Sequence, residues 1–135
     1  MSRLTTWIRR TAQRGNTIAF AILIPLAIIM LFLGVQGALY YHARSVAVAA
    51  AEEALKQSAS QYGNPAAGTA AGYAFIAQAG GTTLQAPAVA VTRGPRNSTV
   101  SITGKSISLL WFWHPTVHID MAKPVERITT PGIPS

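Results

Sequence analysis

A chain of 135 residues with a formal net charge of +7 has room for one small folded domain beside any membrane segment. Half of its residues are hydrophobic and cysteine is absent, which excludes disulfides, thiolate metal sites and thiol nucleophiles. The basic balance invites a nucleic-acid reading, but no run of basic residues interleaved with aromatics occurs, so nucleic acid is set aside as a partner.

Residues 1–15 read as a basic cytoplasmic leader, with Arg3, Arg9, Arg10 and Arg14 ahead of a long apolar run. From Gly15 to Tyr41 no charged side chain occurs. About 25 uncharged residues at ~1.5 Å each make ~38 Å of helix, more than the ~30 Å of a bilayer's hydrocarbon core. Leu, Ile and Phe lie on every side with no polar stripe, and the rest of the chain is too small to bury them. The run is therefore read as a single transmembrane helix. Its length exceeds the roughly 7–15 apolar residues of a secretory signal, so it is expected to stay as an anchor rather than be removed near Ala47-Val48-Ala49.

The arginines place the N-terminus in the cytoplasm and the C-terminal portion outside the membrane. Tyr40, Tyr41 and His42 then fall at the outer interface, where aromatic rings prefer to lie. Trp7 is open to two readings, an inner-surface residue on a short helix or an ordinary apolar residue of the leader. Pro25 removes a backbone hydrogen bond and is expected to kink or loosen the span. Gly34 and Ala38, with Gly37 beside them, form a small-xxx-small surface that lets another helix approach.

The helix is expected to continue outside the membrane, giving one element over residues 16–62. Val48, Ala51, Leu55, Ser58 and Tyr62 form a narrow apolar-to-small stripe, with Glu52, Glu53, Lys56 and Gln57 off it. Gly63 supplies the stop, and Asn64-Pro65 starts a second helix to Ala79, closed by Gly80-Gly81. Alternation then predicts an antiparallel hairpin, with Val89 and Val91 on one strand and Val100 and Ile102 on the other. Val117, Ile119 and Met121 mark a third strand that can pair with it, ended by Lys123-Pro124. Residues 63–128 thus form a small extracytoplasmic head and 129–135 a flexible tail. The fold class is α+β: a long N-terminal transmembrane helix continuing into an external helix, then a small antiparallel β-sheet head.

Trp111-Phe112-Trp113 is open to two readings, the core of the head or a contact surface for a membrane interface or a partner. On a strand, both tryptophans would share a face with Phe112 opposite, so one ring points outward unless both faces are covered. His114 and His118 precede Asp120, but Pro115 interrupts them and no third sharp ligand is present, so no metal site is expected. Glu52 and Glu53 are adjacent on a helix and diverge. No nucleophile motif occurs. Neither enzymatic activity nor a cofactor is expected.

Arg14-Gly15 directly before an apolar helix is similar to a prepilin-type leader. Phe20-Ala21-Ile22-Leu23-Ile24-Pro25 follows, and an alanine-rich stretch with acidic residues, Val46 to Ala54, comes after the span. Together these resemble TadE-like proteins of the Flp/Tad pilus system. The resemblance implies cleavage between Gly15 and Asn16 by a prepilin peptidase, leaving the oily helix as the new N-terminus. The family's usual glutamate before the phenylalanine is Ala19 here, which implies a minor, priming or tip-located role rather than that of a major filament subunit. The expected function is that of a minor pilin or pseudopilin-like component of a Tad-type pilus or its assembly machine. Its partners would be membrane lipid, other pilin-like or pilus-assembly subunits, and the peptidase. The alternatives are a permanently anchored subunit of another envelope secretion or conjugation complex, or a holin-like membrane protein.

Overall fold

The computed structural model describes the backbone of residues 4–127 and the side chains of residues 16–127. The expectations for the side chains of the leader's arginines and Trp7, and for the tail 129–135, lie outside that description. The elements are α1 (Leu4–Ala59), α2 (Pro65–Gly80), β1 (Leu84–Arg93), β2 (Asn97–Ser106) and β3 (Thr116–Pro124). The chain divides into two compact units, Met1–Gly37 and Ala38–Ser135.

In the first unit the apolar part of α1 is bare. Ile18, Phe20, Leu23, Ile28, Leu31 and Leu33 are all exposed, whichever side of the helix they occupy. Such a surface is stable in an apolar solvent and costly in water, and the helix is long and apolar enough to cross a membrane. It continues as helix through Pro25.

In the second unit the same helix turns one face inward. Ala43, Ala47, Ala50, Ala54 and Ser58 are buried, flanked by Val46, Ala51, Leu55 and Ala59. Their offsets of four, three, four and four trace a single helical face. The expected stripe is corrected at its end: Tyr62 is 90% exposed, because α1 stops at Ala59 and the chain has already left the helix. Gly63 N–H closes the following turn by donating to the Ser60 carbonyl at 3.0 Å.

The α2 helix starts as its sequence predicts. The Asn64 side chain accepts from the Ala67 N–H at 2.8 Å, and Pro65 occupies the first turn, where no donor is needed. Buried glycines then seat it. A β-carbon on Gly68 would lie 2.8 Å from both the Ala54 carbonyl oxygen and Ser58 Cβ. A β-carbon on Gly80 would lie 2.6 Å from Val46 Cγ1. The start of α2 thus meets the end of α1, and its end meets Val46, so the two helices run antiparallel.

The strands form an antiparallel meander in the order β1-β2-β3. The alternation sets the register: Val89 faces Ile102, Val91 faces Val100, Ile102 faces Ile119, and Val100 faces Met121. Those residues share one face, and Val89, Val100, Ile102, Val117 and Ile119 pack with the α1 alanines and Ile76 in one core. The opposite face carries Thr92 and Thr99, whose hydroxyls lie 2.5 Å apart, and His118 with Asp120. Near its start β1 bulges between Gln85 and Ala88, with Ala86 at φ 45, in the left-handed region. The Tyr73 hydroxyl of α2 accepts from the Val89 N–H at 3.2 Å, so a group on the β1 edge is paired by the covering helix.

Candidate functional site

The residues singled out on α1 are arranged for contact. The helix runs through Gly15 and Asn16, so the bond between them is in helical rather than extended conformation. Asn16 is exposed. Gly34, Gly37 and Ala38 stand at i, i+3 and i+4, on one side of the helix. A β-carbon on Gly34 or Gly37 would meet nothing within 4 Å, so this small-residue surface is open to a neighbouring helix.

The aromatic run is a loop and not core. Ser106 N–H donates to the Pro115 carbonyl at 2.9 Å and closes the neck between β2 and β3. Within it, Trp113 N–H donates to the Leu110 carbonyl at 3.1 Å, a β-turn with Trp111 and Phe112 at its corners. The Ser108 hydroxyl lies 3.0 Å from both the N–H and the carbonyl of Leu110, which stiffens the approach to the turn. Trp111 is 87% exposed, Phe112 70% and Trp113 50%. The core reading is therefore corrected. Valines and isoleucines of the sheet already fill the space over the α1 alanines, and the loop lies beyond the strand ends. Trp111 and Phe112 pack edge-on, their ring centres 5.8 Å apart.

Polar chemistry on the head is sparse. His118 Nε2 lies 2.7 Å from the Asp120 carboxylate on the open sheet face. The Ser101 hydroxyl, and after it His118, hold the Asp120 carboxyl below its usual range. His114 is exposed in the aromatic loop. Among the described residues no group of three or more His, Cys, Asp or Glu converges on a point.

One residue escaped the sequence reading. Arg93, at the end of β1, reaches the carbonyls of Ser58, Ser60 and Gly63, the last two at 2.8 Å each. The guanidinium thus gathers carbonyls at and just beyond the end of α1, Ser60's being shared with the Gly63 N–H. Its partners lie 30 to 35 residues away in sequence, so no local pattern announces it.

A bare helix long and apolar enough to cross a membrane, with an open small-residue face and followed in the chain by an α+β head with an ordered aromatic loop, fits a single-pass membrane protein. Among the described residues its distinctive features are the open small-residue face and the exposed aromatic loop. The family model described as TadE-like protein matches residues 17–55, so that segment is similar to TadE-like proteins. The likeness points to a component associated with the Tad pilus. No curated protein and no solved structure matches the chain.

Proposed function

We propose that this protein is a minor pilin or pseudopilin-like component of a Tad-type pilus or of the machine that assembles it. Its N-terminus is cytoplasmic, its helix crosses the membrane once, and its head is extracytoplasmic. It acts through helix packing at Gly34, Gly37 and Ala38 and through contacts of the head, without catalysis. The observation that carries this reading is the TadE-like match over residues 17–55, which coincides with the bare helix and its alanine-faced continuation. The arginine-rich side of the span supports the orientation. Open space beside Gly34 and Gly37 supports packing against another subunit's helix.

Mass spectrometry of the mature N-terminus, from cells with and without the prepilin peptidase, tests the proposal. A chain beginning at free or methylated Asn16, dependent on the peptidase, is the expected result. A chain that keeps its leader in both strains overturns the pilin route. That outcome favours a permanently anchored subunit of an envelope complex, a reading supported by the helical conformation at Gly15–Asn16 and by Ala19.

A further inference from the structure

Contacts within the head fix which end of it carries loop 107–115. Ser58 Oγ lies 2.6 Å from Ser98 Oγ, so the start of β2 is level with the end of α1. Arg93, at the end of β1, holds carbonyls at that same end. At the other end Gly80 abuts Val46, and Leu84 pairs with Ser106. The end of β2, and with it the loop, therefore lies toward the N-terminal side of the α1 head segment.

The level can be worked out. From Ser98 to Ser106, β2 advances about 26 Å at ~3.3 Å per residue. From Ser58 back to Val46, α1 covers about 18 Å at ~1.5 Å per residue. Laid straight along α1, β2 ends at most about 8 Å, or about five helical residues, beyond Val46, which puts its end between Val46 and Tyr41. Tyr41 is where the uncharged run gives way to His42 and Arg44, the point at which the helix leaves hydrocarbon.

We infer that the Trp111-Phe112-Trp113 loop inserts into the outer interface of the bilayer that α1 crosses, as a second, peripheral membrane anchor. This rests on the transmembrane reading of α1. The side chains suit that solvent. Indole rings favour the headgroup layer, where one edge is apolar and the N–H is wet. Leu109 and Phe112 supply hydrocarbon-seeking surface, each at least 49% exposed. Exposed Lys105 stands just before the loop, opposite Gln85 and Thr116, and offers a cation to lipid phosphate. No carboxylate occurs from Lys105 to Ile119, and Asp120 sits farther along β3, opposite Ser101. The neck bond and the turn hold the rings together before any membrane is met, so little ordering is required on insertion.

The test uses the full chain with Trp7→Phe, which leaves Trp111 and Trp113 as the fluorophores. It is reconstituted in phosphatidylcholine nanodiscs with plain or brominated acyl chains. Bromine is expected to remove roughly half or more of the emission, with weak quenching by aqueous acrylamide. Co-elution with the nanodiscs but unchanged emission in brominated lipid overturns the inference. Strong acrylamide quenching would then put the loop in water, and weak quenching would put it under protein, such as a second copy. Failure to co-elute overturns the transmembrane reading and the loop's role with it.

Discussion

Replacing Gly68 by alanine sets two magnitudes against each other. In a helix the change is favourable by about 1 kcal/mol, because glycine costs backbone entropy. At this position the added carbon lands 2.8 Å from the Ala54 carbonyl oxygen and 2.8 Å from Ser58 Cβ, with Val91 Cγ1 at 3.3 Å. Comfortable contact begins near ~3.5 Å, so α2 must move off α1 by about 0.7 Å. Neither close atom can rotate away, since one belongs to the backbone and the other is bonded to it. Overpacking of this kind costs about 1–3 kcal/mol, and two rigid contacts put Gly68 at the upper end. The net is a loss of about 2 kcal/mol, or about 8–16 °C in Tm for a domain of this size. Near-ultraviolet circular dichroism of the full chain in detergent, melted beside the Gly72→Ala variant, measures it. Gly72 meets only methyl groups, at 3.0 Å and beyond, and should lose less. A Gly68→Ala chain melting at or above the parent would refute the close seating of α2 on α1.

Arg93→Met removes the guanidinium from three carbonyls at the end of α1 and should cost about 2–3 kcal/mol, read as a drop in the same melt. The Ser106 hydroxyl is buried with no hydrogen-bond partner among the described residues, so Ser106→Ala should leave stability unchanged or raise it by up to about 1 kcal/mol. The Asp120 carboxyl is held below its usual range by Ser101 and His118, so its contribution is present above the ordinary carboxylate range. That contribution is lost as pH falls through the lowered value. Asp120→Asn should therefore lower Tm slightly at neutral pH and converge with the parent in acid, which flattens the acid limb of Tm against pH; a steeper acid limb would refute the pairing.

The parts legible in the sequence were those with a local physical cause. The Asn64-Pro65 start of α2 follows from groups within one turn, and the side chain bonds as that logic requires. The strand register follows from period-two alternation, because a slip by one residue would turn Val89, Ile102 and Ile119 outward. The inward face of α1 was harder to read. Alanine is compatible with either side of a helix, and only the packed sheet distinguishes Ala43, Ala47 and Ala50 from their neighbours. Tyr62 falls on that stripe by spacing alone, because periodicity does not show where a helix stops. The bulge at Ala86 and the cap by Arg93 depend on distant partners. The aromatic loop was half legible: composition marked it, but exposure is a tertiary property.

The matched segment and the core meet at one boundary. The family match ends at Leu55, the last large side chain that α1 gives to the core. Within residues 17–55 one helix answers to two surroundings: leucine and isoleucine to the span's bare surface, alanine to the close approach of α2 and the sheet. Each narrows the residues that fit. The strands carry a weaker demand, since any alternating set of valine, isoleucine and threonine satisfies a three-stranded sheet with one buried face. A recognisable helix and an unmatched head are therefore what these constraints produce. The alanines at 43–59 also make the head's core depend on α1, because α2 lies over β1 and without the alanines the buried valines and isoleucines of β2 and β3 would face water. The segment that follows the span is thus half of the head's fold, not a stalk beneath it.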